Sequence, residues 1–177
     1  MPILQISTEN VSIADNQQER IPKKIEFLKY YLAGFVDGEG CFSVAISKHP
    51  TARSRWKIDP HFQVYQHKDN SKVLYLLQDV LQCGYVSKKG GNPSCFMFCV
   101  DNINQLIYKI IPFFEQHPLI GEKYDNFLIF KDIVYDLFKK KHFEKQGFID
   151  IAQKAYLMNR AGKYRKNSFE TVVASLK

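Results

Sequence analysis

The chain of 177 residues has no CxxC pair, and no histidine stands at zinc-finger spacing from its four cysteines, Cys41, Cys83, Cys95 and Cys99. That argues against the common structural zinc modules. The cysteines alternate with apolar residues in strand-like stretches, so they are expected to be small, reduced core residues of a protein in a reducing compartment. No run of about 18 apolar residues occurs, which argues against a transmembrane helix. The first twenty residues lack an apolar core followed by small residues and carry Glu9, Asp15 and Glu19, so neither a secretory signal nor a transit peptide is expected. No internal repeat and no low-complexity tract is visible. The histidines (His49, His61, His67, His117 and His142) share no motif with any nucleophile, which leaves Cys/His and Ser/His schemes without support. Acidic residues are in deficit, 18 against 25 Lys and Arg, for a net charge of +7 and a pI near 9.1. Such an excess favours partners that carry phosphate, or an anionic membrane surface.

What the chain does contain reads as an ordered α+β domain. Residues 1–21 are polar and lack periodicity, and are expected to form a flexible arm. The remainder, 22–177, is read as a single domain. Ile25, Leu28, Tyr31, Leu32 and Phe35 recur at helical spacing over residues 23–38. Phe42, Val44 and Ile46 then alternate with Ser43, Ala45 and Ser47, as in a half-buried strand. After a basic loop with Lys48, Arg53 and Arg55, a second strand over 56–66 turns Ile58, Phe62 and Val64 one way. Lys57, Asp59, His61, Gln63 and Tyr65 face the other. Ser71 is a plausible N-cap for a helix that Gly84 ends. A hairpin follows, Tyr85 to Lys89 and Cys95 to Val100 around a Gly-Gly-Asn-Pro turn. Asp101 or Asn102 caps the next helix, and helices are expected over 122–141, 145–159 and 168–176.

The order is α-β-β-α-β-β-α with further helices, which predicts a four-stranded antiparallel sheet with helices on one face. The other face is polar and basic. Ser43, Ala45, Ser47, Lys57, Asp59, His61, Gln63 and Tyr65 form one row on it, and Ser87 and Lys89 another. Such groups can read base edges in a major groove, while Lys48, Arg53 and Arg55 in the first hairpin reach flanking bases or phosphates. The runs Lys139-Lys140-Lys141 and Lys163 to Lys166 are either solvated faces or a diffuse attraction for the backbone.

At the end of the first helix stands Leu32-Ala33-Gly34-Phe35-Val36-Asp37-Gly38-Glu39-Gly40. Gly34 and Gly38 lie on one helix face, where small residues let two backbones approach. Each Gly costs about 1 kcal/mol relative to Ala inside a helix, so two at this spacing point to close packing. In a two-fold pair the Glu39 carboxylates would meet near the axis, which is unfavourable unless cations lie between them. Hard oxygen ligands of this kind suit Mg²⁺.

The nine-residue segment resembles the signature of the LAGLIDADG homing endonucleases, and the αββαββα order resembles that family's domain. The stretches Phe62 to Gln66 and Pro118 to Phe127 are similar to it as well. The resemblance covers about residues 27–140. With one signature in the chain, it implies a homodimer packed through Leu32, Ala33, Gly34, Asp37 and Gly38. It implies site-specific cleavage of a long, roughly palindromic double-stranded DNA with Mg²⁺, whose sites Mn²⁺ or Ca²⁺ can occupy. Glu39 and the Gly38 carbonyl would be the metal ligands, Gln66 would orient the water network, and Lys123 would stabilise charge developing on the phosphate. Close relatives place an Arg where this chain has Asn70, so Lys68 or Lys72 is expected to stand in. The family is commonly encoded in mobile introns, which implies an organellar or microbial setting without a membrane partner. An RNA-splicing maturase acting on intron RNA, or a non-catalytic DNA-binding protein, would share the fold.

Overall fold

The computed structural model describes residues 12–52, 54–161 and 165–176. Helix α1 (Ser12–Glu39) is longer than the 23–38 segment read from periodicity, so residues 12–21 of the expected arm are helical. Residues 1–11 lie outside the described residues. Leu28, Leu32 and Val36, spaced four apart, turn into the core, with Leu32 and Val36 fully buried. Ile25 and Tyr31, expected on the inward stripe, are exposed at 49% and 61% instead. Two apolar stripes share this helix at 3.6-residue spacing, and the one through Leu28, Leu32 and Val36 takes the core.

α1 hands over to β1 (Gly40–Lys48) with no loop between them. A Cβ on Gly40 would lie 2.7 Å from the Val36 carbonyl oxygen, so only glycine allows the turn to be this abrupt. β2 (Trp56–His67) follows, then a 3-10 turn (Lys68–Asn70) and α2 (Lys72–Leu81). The hairpin is β3 (Tyr85–Lys88) and β4 (Cys95–Val100). Asn102 caps the next helix by accepting from the amides of Asn104 and Gln105. That helix is α3 (Ile103–Gln105), a π-helical turn (Leu106–Ile110) and α4 (Ile111–Gln116). The wider register falls just before Pro112, which has no N–H to donate. α5 (Glu122–Phe138), a 3-10 turn (Lys141–Phe143), α6 (Lys145–Ala161) and α7 (Phe169–Ala174) complete the chain.

The four strands form one antiparallel sheet in the order β1-β2-β4-β3. Pro60 sits inside the long β2, where a missing N–H would normally break the ladder. It is tolerated because β2 pairs with β4 only from Phe62 onward, while Pro60 faces Val44 of β1. Val44 turns its carbonyl outward, to Arg165, so the Val44–Pro60 pair exchanges no backbone bonds.

Helices α1, α2, α5 and α6 cover one face of the sheet. The core between them is built on stacked and edge-on rings. Phe42 lies 5.0 Å from Phe62, 5.4 Å from Phe114 and 5.3 Å from both Phe127 and Phe130, centroid to centroid. Such pairs add about 0.5–1.5 kcal/mol each beyond burial. The buried His117 ties α1 to α4, with ring nitrogens 2.9 Å from both the Phe113 carbonyl and a Glu26 carboxylate oxygen. The outer edge of β1 is closed by side chains of the C-terminal region. Asn159 donates to the Phe42 carbonyl at 2.9 Å and Arg165 to the Val44 carbonyl at 2.8 Å. Arg165, expected on a solvated face or in a diffuse attraction for the nucleic-acid backbone, is instead a half-buried structural donor. Lys141 of the other basic run is held by Asp136 at 2.7 Å. Lys163 lies outside the described residues.

Candidate active site and nucleic-acid interface

The end of α1 is electrostatically unusual. Its last turn carries Asp37 and Glu39 and no basic residue. The helix macrodipole puts partial negative charge at this end, so both acids are disfavoured there unless a cation compensates. Glu39 is exposed. Asp37 accepts from the Ile120 amide at 3.3 Å through one carboxylate oxygen, while its other oxygen is buried with no hydrogen-bond partner. Every donor atom here is an oxygen, the set that suits Mg²⁺. The residues present therefore fit the hard cation that the signature implies.

Lys123, from the first turn of α5, reaches this same end. Its ammonium donates to the Gly40 carbonyl at 2.7 Å and to the Gly38 carbonyl at 3.3 Å. Three residues assigned from the sequence, Gly38, Glu39 and Lys123, are thereby brought together. Gly40 pairs with Val64, which places Gln66 at the same end of the sheet, two residues further along β2. Asn70, standing where an Arg was expected, donates to the Gln66 side-chain oxygen at 3.1 Å. Asn70 thus fixes which way the Gln66 amide points, a role the sequence reading did not assign. Lys68 and Lys72 are exposed beside it.

Among the described residues, no helix covers the second face of the sheet. Cross-strand pairs set its rows: Ser43 with His61, Ala45 with Asp59, Ser47 with Lys57, and Tyr65 with Met97. The predicted residues do share this face. Several are pre-positioned by each other. Lys57 pairs with Asp59 at 2.8 Å, Tyr65 donates to Gln63 at 3.0 Å, and the Lys89 ammonium lies 4.6 Å from the Tyr65 ring centre. Ser87 pairs with Met97 on the same side. Lys48 does not belong to this row. It pairs with Trp56 and its ammonium lies 5.9 Å from the indole, on the helix-covered side of the sheet. Arg55 adopts a left-handed conformation (φ 63°) and reaches the Pro50 carbonyl at 3.5 Å, and Arg53 lies outside the described residues.

All four cysteines are free, as expected, and Cys83 and Cys99 are buried while Cys41 and Cys95 are half-buried. Only Cys83 joins the main core, while Cys99 is 1% exposed yet lies on the open face, cross-strand from Gln63 and Tyr85. The Gln63 amide approaches its sulfur at 3.8 Å. Burial raises the Cys99 thiol above its usual range. A hydrogen bond with Cys99 raises the Tyr85 phenol as well, with burial and Asp101 adding to it.

The surface of α1 revises the interface assignment. Leu32 and Ala33 are buried within this chain's own core, so they cannot offer surface to a partner. The outward stripe is Phe27, Tyr30, Tyr31, Gly34 and Gly38, with Phe27 73% exposed. A Cβ on Gly34 or on Gly38 would meet nothing within 4 Å. Packing inside the chain therefore does not explain either glycine.

The profile of the LAGLIDADG endonuclease family matches residues 32–134, from the start of the signature through most of α5. A probable intron-encoded endonuclease of Neurospora crassa is 33% identical over 145 residues, 81% of this chain but 32% of that protein. The homing endonuclease I-ApeII of Aeropyrum pernix is 30% identical over 150 residues, 82% of this chain and 88% of the relative. An archaeal intron-encoded homing endonuclease, I-Vdi141I, solved in complex with DNA, superposes with a TM-score of 0.79 at 29% identity, covering 85% of this chain and 94% of that one. The chain thus spans about a third of the fungal relative and nearly all of the archaeal ones. Signature, strand order and matched residues converge, and the chain belongs to the LAGLIDADG endonuclease family.

Proposed function

We propose that two copies of this chain grip double-stranded DNA with their open sheet faces and hydrolyse one phosphodiester in each strand, with Mg²⁺ at the ends of paired α1 helices. The observation that carries the reading is the last turn of α1. Its two acids have no basic residue in the turn to offset them, and Lys123 stands beside them. Glu39 and the Gly38 carbonyl would hold the ion, which when bound supplies a water of lowered pKa and offsets charge building on the phosphate.

The chain's own groups do the rest. Lys123 is anchored by the short bond to Gly40, and its longer contact with Gly38 is the one it can exchange for a phosphate oxygen. Gln66, with its oxygen engaged by Asn70, presents its amide N–H groups to an attacking water. The Ser43–His61, Ala45–Asp59 and Ser47–Lys57 pairs follow the base edges of one half-site. Two-fold pairing through the Gly34–Gly38 stripe would make the target roughly palindromic. Fungal relatives bear intron-encoded names, and we infer the same origin here, in an organelle. No helix among the described residues is long and apolar enough to cross a membrane.

The test is nicking of a plasmid library of random inserts with Mg²⁺, comparing wild type with Glu39→Gln. Wild type should cut selected inserts, and Glu39→Gln should bind them without cutting. Equal cutting by both proteins would defeat the assignment of Glu39. Intact DNA with both, together with faster folding of an intron RNA, would replace it with a splicing role.

A further inference from the structure

We propose that His61, Cys99 and Asp101, gathered on the open face of the sheet, form a binding site for a thiophilic divalent cation of the Zn²⁺ class, separate from the oxygen-only site at Glu39. One ligand atom from each of the three lies within 4.8 Å of the others. His61 lies in β2, Cys99 in its partner β4, and Asp101 just past the end of β4. Cys99 stands opposite Gln63, which brings Asp101 level with His61.

The donor set decides which ion fits. An imidazole nitrogen, a thiolate and a carboxylate suit Zn²⁺ or Co²⁺, whereas Mg²⁺ favours oxygen alone. Zinc binds nitrogen at about 2.0 Å and sulfur at about 2.3 Å, so tetrahedral donors stand roughly 3.5 Å apart. Closing on the ion therefore draws the three tips together by about 1 Å, within reach of side-chain rotation. With three protein ligands, the fourth position is open to water.

A second observation points the same way. The Nδ1 atom of His61 is buried and has no hydrogen-bond partner. A buried polar atom left unpaired is destabilising, and a cation would relieve that cost. Tyr85 completes the arrangement. Its hydroxyl donates to Asp101 at 3.1 Å, and it stands cross-strand from the 1%-exposed Cys99 while remaining 44% exposed itself. A swing of this edge-strand side chain opens the path to the sulfur. Binding then forms metal–nitrogen, metal–sulfur and metal–oxygen bonds and releases the thiol proton to solvent, with no change in oxidation state.

The test is titration of the full chain with Co²⁺ alone, reading the thiolate-to-cobalt charge-transfer absorption in the near ultraviolet. An oxygen-only site cannot produce that band, so the result is independent of what happens at Glu39. Wild type should develop the band with one Co²⁺ per chain, and Zn²⁺ should displace it. Cys99→Ser should abolish the band, and His61→Gln or Asp101→Asn should weaken binding about tenfold or more. No band in wild type, or a band that survives Cys99→Ser, would overturn the proposal. If Cys99→Ser fails to fold, His61→Gln decides, because it keeps the thiol. Undiminished Co²⁺ affinity in that variant would sink the site.

Discussion

Gly84 is a position where one atom matters. Its φ is +73°, and an added Cβ would lie 2.7 Å from the Cys99 carbonyl, a Phe98 ring carbon and a Val100 methyl. Gly84→Ala should destabilise the chain by about 2–4 kcal/mol, read as a lower urea midpoint, from strained backbone and overpacking together. Asp136 makes a prediction about pH. Burial raises its carboxyl, but hydrogen bonds from Lys141 (2.7 Å) and Lys154 (2.9 Å) outweigh that and leave it below 3.8. A carboxylate depressed in the folded state stabilises above its unfolded value and loses that contribution as pH falls through the folded one. Asp136→Asn should therefore cost about 1–2 kcal/mol at pH 7, with the gap to wild type closing below about pH 4 in thermal melts. Among single residues, the placement of Lys123 against the Glu39 end of α1 was legible because both sit in quotable motifs. Asn70 was not, because its partner Gln66 is set by the turn that follows β2. Cys99 is buried as expected, but the face it takes was not legible. β4 reads Cys-Phe-Met-Phe-Cys-Val, apolar at every position, so alternation could not say which face the sulfur took.

At the scale of an element, α1 carries two surfaces at once. The stripe through Leu28, Leu32 and Val36 is spent on this chain's core, and the aromatic and glycine stripe is left facing out. Gly34→Leu should leave the fold of one copy intact, since nothing lies within 4 Å of a Cβ there. The same change should convert a dimer to a monomer in sedimentation velocity with the far-ultraviolet circular dichroism unchanged. A dimer that survives it would remove this helix from the interface. Strand positions were legible from period-two alternation in β1 and β2, where serine, lysine and histidine mark the open side. The start of α1 was not, because residues 12–21 lack an apolar stripe and periodicity is silent on polar helix.

At the scale of the whole molecule, charge and topology set behaviour. Each copy carries +7, so a pair carries twice that, +14. Affinity for duplex DNA should fall by about 10³-fold between about 50 and 200 mM salt if the pair neutralises about six phosphates, measured by fluorescence anisotropy. A flat salt response would contradict the open face as a phosphate-gripping surface. The strand order β1-β2-β4-β3 could not be read locally, since nothing within β4 names β2 as its neighbour. Nor could the closing of β1, which depends on residues more than a hundred positions away. That closure has a practical meaning for anyone trimming or grafting the domain. A fragment ending where the family match ends, at residue 134, would keep the signature, the sheet and Lys123. It would also bare the Phe42 and Val44 carbonyls along a nine-residue rim, a ready template for a stray strand. The smallest well-behaved unit therefore extends past Arg165, and the helices after α5 act as its anti-aggregation hem.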